Sequence, residues 1–213
     1  MADFRRAPRA LLDRFRTIPT ANIGDAVDRL GVLDGGIQTV WPGARLVGSA
    51  YTIWTRAGDN LAIHQALGEA RPGDVLVVNG GGDLSRALIG ELIGGRAKAA
   101  GIAGFVIDGV VRDAEGLAAF QMPVFARGVS PAGPYKNGPA RLATVVAIGG
   151  VAVAPGDIVV GDADGVVVVS LADAEHVASA AEAVRDKEDV KRAAIAQSLA
   201  RSSAQSSAPS GSV

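Results

Sequence analysis

Short apolar runs rich in Val and Ile, separated by helix-like stretches, leave this chain few architectures. DVLVVNG (74–80) and AGFVID (103–108) read as short buried strands, and Pro123–Ala126 reads as another. RLVGSAYTIWTR (45–56) is rich in β-branched and aromatic residues and predicts a further strand. Helical patterns lie between them at 60–70, with Leu61, His64, Ala66 and Leu67 among the inward candidates, and at 89–100, ending at Gly101. A third, AEGLAAF, follows Arg112-Asp113. Strands alternating with helices point to a layered α/β fold. After residue 144 the pattern changes to several Val-rich β segments, with turns at 155–157 and 162–165. That stretch argues against a purely doubly wound sheet and for a sheet sandwich with helices on its faces.

The ends of the chain are helical in pattern. Residues 9–16 read as a short helix that Pro19 interrupts. Thr20 or Asn22 caps a second helix through Leu30, and Gly31 fits its end. A charged, Ala-rich helix covers 172–197, and the Ser-rich tail 198–213 is expected to be disordered. The expected organisation is one domain over 1–197 followed by that tail. A Pro-Gly-Asp turn before a Val-rich strand occurs twice, at 72–78 and 155–160, which is weak evidence for a repeat.

Composition removes several classes of function. A formal net charge of −1 provides no global field toward nucleic acid or an anionic membrane. No apolar run reaches the roughly 18 residues of a membrane span. The N-terminus has arginines but no continuous apolar core of a secretory signal, so it reads as an amphipathic helix with Leu11, Leu12 and Phe15 on one face, and the cytoplasm is the expected compartment. The absence of cysteine excludes disulfides, thiolate nucleophiles and Cys-based metal centres. With two histidines, His64 and His176, a metal would be held mainly by oxygens, which favours Mg²⁺ or Mn²⁺.

The densest chemistry lies in GELIGGRAKAAGIAGFVIDGVVRD (90–113). Arg112-Asp113 follows an apolar strand; arginine can grip a carboxylate through two hydrogen bonds, and aspartate can hold a divalent cation. The plainer alternatives are a surface ion pair or an aspartate cap on the next helix. Gly90 fits a helix start, where exposed N–H groups favour anions. Glu91 by itself is equally a favourable first-turn acid. VVNGGGD (77–83) lacks the spacing of a dinucleotide loop and has no Walker lysine, so it reads as a flexible loop near the site. DADGVVVVS (162–170) begins like a calcium loop but has its glycine too early, and reads as a hairpin turn. His64 is expected to be a partly buried helix residue and His176 to lie on a solvated helix face; neither supports a catalytic triad.

Together with SPAGPYKNGPARL (130–142) and VAPGDIVVGDADGVVVVS (153–170), this segment resembles the family of the regulator of ribonuclease activity A and the class II 4-hydroxy-4-methyl-2-oxoglutarate aldolases. The resemblance spans roughly 15–197. It implies an α–β–β–α sandwich of the swivelling β/β/α type with a C-terminal helix. Gly90, Glu91, Leu92 and Ile93 match the backbone cradle for the substrate carboxylate. Arg112 matches the arginine that contacts pyruvate, Asp113 the direct ligand of Mg²⁺, and Glu91 the acid that holds metal-bound water. A further acid comes from a neighbouring subunit's C-terminal helix, for which Glu188 is the first candidate and Glu182 the second. The resemblance also implies a homotrimer or homohexamer that cleaves a 2-oxo acid to pyruvate and decarboxylates oxaloacetate; the expectation of no nucleic-acid or membrane partner comes from the charge and hydropathy above. Its other branch implies a non-catalytic regulator that binds and inhibits a ribonuclease. A methyltransferase, suggested only by Gly80–Gly82, is the weakest alternative.

Overall fold

In the computed structural model, which describes residues 3–206, the strands that the sequence singles out lie side by side. The N-terminal part has α1 (Arg9–Phe15), α2 (Thr20–Ala26), β1 (Gln38–Thr39) and β2 (Leu46–Thr55). Three strand–helix steps follow: α3 (Leu61–Ala66) and β3 (Asp74–Ala87), then α4 (Glu91–Ala99) and β4 (Gly104–Val111), then α5 (Ala114–Ala119) and β5 (Val124–Val129). The remainder is β6 (Ala140–Leu142), β7 (Val146–Ile148), β8 (Val151–Val153), β9 (Ile158–Asp162), β10 (Gly165–Val169) and α6 (Ala174–Ser206). One eight-stranded sheet runs β1-β5-β4-β3-β2-β9-β10, with β6 also on β2, while β7 and β8 form a small hairpin. Strands β2 to β5 are parallel neighbours; β9 returns antiparallel to β2.

Alternating side chains explain how one sheet builds four layers. In β3, Leu76 and Val78 join Ile63, Ala66, Ala97 and Leu117 in a core beneath α3, α4 and α5. Val75 and Val77 point the other way, into a middle core shared with Val159, Val166 and Val168. The opposite faces of β9 and β10, through Ile158, Val160, Val167 and Val169, pack on Phe15, Ile23, Val177 and Ala181 of α1, α2 and α6. The curled sheet therefore faces itself across the middle core, and helices cover both outer faces. This is the expected α–β–β–α sandwich. The run Val166–Val169 is buried at every position because both of its faces are covered.

Several local expectations need correction. The second helix ends at Ala26, not Leu30: Asp28 and Arg29 take left-handed backbone (φ 51° and 66°), and the Arg29 N–H closes on the Gly24 carbonyl at 2.8 Å. The glycines at 80–82 are not a free loop but part of β3, where the register to β4 shifts. Gly80 is pressed on the neighbouring strand, so an added Cβ would lie 2.8 Å from the Asp108 carbonyl oxygen. The 162–165 turn is the hairpin between β9 and β10, and Asp162 caps α2 by accepting from the Thr20 N–H at 3.0 Å. The helix α6 runs beyond 197 through Ser206, where the sequence predicts a disordered tail; 207–213 lie outside the described residues. None of the described helices is long and apolar enough to cross a membrane.

The N-terminal segment is locked down by a buried ion pair. Arg6 donates to both carboxylate oxygens of Asp74, at 2.7 and 2.8 Å, and Asp74 also accepts the Arg71 N–H at 2.8 Å. Removing one member strands the other in a poorly hydrated site. Arg6→Ala is expected to cost about 3 kcal/mol, read as a lower midpoint in urea denaturation; a change under roughly 0.5 kcal/mol, the range of an ordinary surface substitution, would contradict this account.

Candidate active site

The end of β4 is tied to the segment that starts α4. The Leu88 N–H donates to the Val110 carbonyl and the Arg112 N–H to the Ile89 carbonyl, both at 2.9 Å. These bonds place Gly90 directly against Arg112 and Asp113. Asp113 adopts left-handed backbone (φ 55°, ψ 45°), unusual for a residue with a side chain and a pattern that clusters at functional sites. That turn swings its carboxylate back over Gly90, where Oδ2 accepts the Glu91 N–H at 3.3 Å and lies 3.4 Å from Arg112 Nε. A Cβ on Gly90 would overlap Asp113 Oδ2 and come within 3.0 Å of Arg112 Cγ. Glycine is therefore required here for space, not for backbone freedom, since its φ is −144°.

A cavity of about 320 Å³ opens over this corner. Its walls are Leu88–Gly90, Leu92 and Ile93 on one side and Asn60, His64, Pro134 and Lys136 on the other, with Arg96, Arg112 and Asp113 supplying further charge. Arg96, Arg112 and Lys136 face a single carboxylate, so the cavity suits an anion carrying more than one negative charge. Asp59 positions the Lys136 wall. Its buried carboxylate accepts the Leu61, Asn137 and Gly138 N–H groups at 3.0, 2.6 and 3.0 Å. Burial alone would raise the pKa of Asp59, but those three N–H groups and Arg56 outweigh it and hold the carboxyl below its usual range. The pKa of His64 is pushed down, first by burial and then by Lys136 and Arg96, which favours the neutral imidazole.

Five residues singled out in the sequence meet at this cavity: Gly90, Leu92, Ile93, Arg112 and Asp113. Glu91 is only half with them. Its N–H holds Asp113, but its side chain lies over Gly116 of α5, where a Cβ would overlap Glu91 Oε2. Glu188 sits on α6, in the opposite helical layer, and accepts from Asn22 Nδ2 at 2.8 Å. Glu182 is paired with Arg14 by bonds of 2.9 and 2.7 Å, which holds its carboxyl below the usual range. Asn60, His64, Arg96 and Lys136 are site residues that the sequence reading misses. Arg96 and Lys136 lie within the segments 90–113 and 130–142 but have no assigned role there, and His64 looked like an ordinary helix residue.

The donor set limits what metal could be held. Among the described residues no three His, Asp or Glu side chains converge on one point. Asp113, with its side chain 40% exposed at the cavity, could supply one oxygen ligand, leaving the other positions to water and substrate. Mg²⁺ is commonly bound in that way, and zinc is not. A second, more open depression of about 470 Å³ lies on the far side of Arg112 and Asp113, bounded by Glu115, Val129, Ser130 and Pro131. The pair therefore stands between an enclosed pocket and an open surface.

The required space at Gly90 gives a direct test. Gly90→Ala should displace Asp113 and reduce binding of a small oxo-dicarboxylate at least about tenfold by calorimetry, a loss of one charge-assisted contact, while circular dichroism stays native. Gly95→Ala on the same helix is the control, and equal effects from both would contradict the account.

Residues 20–168 match the RraA-like family model, described as Aldolase/RraA. A protein of Halalkalibacterium halodurans, provisionally named a 4-hydroxy-4-methyl-2-oxoglutarate aldolase, is 40% identical over 188 residues, covering 88% of this chain and 90% of that protein. Among solved structures, an uncharacterised protein from Pseudomonas syringae pv. tomato superposes with a TM-score of 0.83 at 29% identity, over 91% of this chain and 96% of that one. Streptomyces coelicolor RraAS2, described as an unusual member of the RNase ES inhibitor RraA family, superposes with a TM-score of 0.81 at 28% identity, over 89% and 99%.

Proposed function

The chain belongs to the RraA-like, Aldolase/RraA family, and on that premise we propose that it is a divalent-metal-dependent lyase. It cleaves 2-oxo acids of the 4-hydroxy-4-methyl-2-oxoglutarate type to pyruvate and decarboxylates oxaloacetate. The observation that carries this reading is the corner where Asp113 and Arg112 close on the Cβ-free face of Gly90 beneath a cationic cavity. The name of the 40% identical relative supports the same reaction class.

Each residue then has a definable task. Arg112 grips the carboxylate next to the keto group, together with the N–H groups that open α4, which have no acceptor within the helix. Asp113 would hold Mg²⁺ or Mn²⁺, which when bound supplies a Lewis acid for the keto oxygen. In the aldol substrate, loss of the C4 hydroxyl proton and cleavage of the bond between C3 and C4 release a second 2-oxo acid; in oxaloacetate the same cleavage releases CO₂. Both leave the enolate of pyruvate, whose negative charge the Arg112 guanidinium stabilises until C3 takes up a proton. Arg96 and Lys136 neutralise the distal carboxylate. No lysine Schiff base is required. Glu91 borders the site and would orient a water, and Glu188 would reach the open side of Arg112-Asp113 from a neighbouring subunit. Support for a homotrimer or hexamer comes from the far half of α6, whose Val190, Ile195 and Leu199 are exposed, and from the open depression beside Asp113.

The test is pyruvate release from both substrates with Mg²⁺, with EDTA, and in Asp113→Ala. EDTA and the substitution should each lower kcat/KM at least about 100-fold, since the metal supplies several kcal/mol; full activity in either would refute the reading. Sedimentation should give three or six copies, and a monomer would remove the role of Glu188. The similarity to RraAS2 favours a second reading, inhibition of a ribonuclease. Co-purification with such a ribonuclease, and no turnover, would select it.

A further inference from the structure

Two polar atoms on the cavity wall have no partner in the fold. Asn60 is 2% exposed, and its Oδ1 is buried without a hydrogen bond. His64, one helical turn later on the same wall, leaves Nε2 buried and unpartnered. Buried polar atoms are nearly always satisfied, so two orphans on residues that line one cavity call for a partner.

The orientation of the Asn60 amide is set. Its Nδ2 donates to the Leu88 carbonyl at 3.0 Å, so the oxygen is the free atom, and it can only accept. Burial favours the neutral form of the His64 imidazole, in which one nitrogen carries a proton. With that proton on Nε2, a group serving both must donate to Asn60 and accept from His64. Carboxylate and keto oxygens only accept, and either would set oxygen against oxygen at Asn60. A methyl group does neither. A hydroxyl does both.

We propose that Asn60 and His64 form a hydroxyl-reading pair: the substrate's C4 hydroxyl donates to Asn60 Oδ1 while its oxygen accepts from His64 Nε2–H. This rests on the lyase reading above and deepens it, since it names what distinguishes the aldol substrate from oxaloacetate, which has no hydroxyl. A site built to bond a hydroxyl discriminates strongly against the analogue that lacks it, because the protein's own polar groups are then left unpaired. The pair sets specificity by holding the hydroxyl before reaction; when the C3–C4 bond breaks, the hydroxyl proton leaves Asn60 for the water that Glu91 would orient, and C4 becomes a carbonyl.

The test uses full-length protein with Mg²⁺ and the variants His64→Phe and His64→Gln. In His64→Phe the ratio of kcat/KM for 4-hydroxy-4-methyl-2-oxoglutarate cleavage to that for oxaloacetate decarboxylation should fall roughly 10- to 100-fold. His64→Gln, whose amide N–H can donate, should recover most of the ratio. An unchanged ratio, or equal loss in both variants, overturns the pair and leaves the lyase reading intact. If the native protein turns over neither substrate, the lyase reading itself fails. Calorimetry then still decides the pair. A preference for 4-hydroxy-2-oxoglutarate over 2-oxoglutarate that disappears in His64→Phe supports it, and one that is absent in the native protein or survives the substitution overturns it.

Discussion

The closure of Asp113 onto Gly90 is the contact on which the rest of the site depends. Two backbone hydrogen bonds, Leu88 to Val110 and Arg112 to Ile89, run the start of α4 alongside the end of β4. The left-handed turn at Asp113 then returns its carboxylate over Gly90, the residue that caps α4 and carries no Cβ to obstruct it. Everything chemical is placed by that closure: the guanidinium of Arg112 beside the carboxylate, the first turn of α4 at the cavity wall, and the oxygen donor at its rim. The strain of a left-handed aspartate is tolerated because α5 begins there, with the Leu117 N–H on the Asp113 carbonyl at 3.0 Å.

The parallel strands and the cavity are one design. Three strand–helix crossovers put α3, α4 and α5 on a single face, so the segments leaving the C-terminal ends of β3 and β4 meet the loop between β2 and α3. Ligands in open α/β sheets collect at such edges for the same reason. The fourth wall comes from far along the chain: the loop at 134–138, pinned by the buried carboxylate of Asp59. Asp59 therefore connects packing to function, since the hydrogen bonds that make its burial tolerable also hold Lys136 at the cavity.

Legibility differed sharply among the site residues. Arg112 and Asp113 could be read because a charged pair directly after an apolar strand has few structural uses, and Gly90 because a glycine at a helix start invites an anion. His64, Asn60 and Lys136 could not. A histidine on a short helix is ordinarily a core residue, and nothing in Tyr135-Lys136-Asn137 says which side chain turns inward. The glycines at 80–82 misled for the opposite reason. They imitate a ligand loop, yet they serve a strand whose neighbours press on it too closely for side chains, as at Gly80.

The sequence by itself determined the layered α/β class, the expectation of mainly oxygen ligands at any metal site, and the Arg112–Asp113 pair. Each follows from local periodicity, composition or adjacency. Only the tertiary structure decided that the sheet curls to face itself, that Glu188 lies in the opposite layer from Asp113, and that Asn60 and His64, each with an unpaired buried atom, line one cavity. Those outcomes depend on contacts between residues tens of positions apart. Local pattern says which face of an element is buried, but not against what.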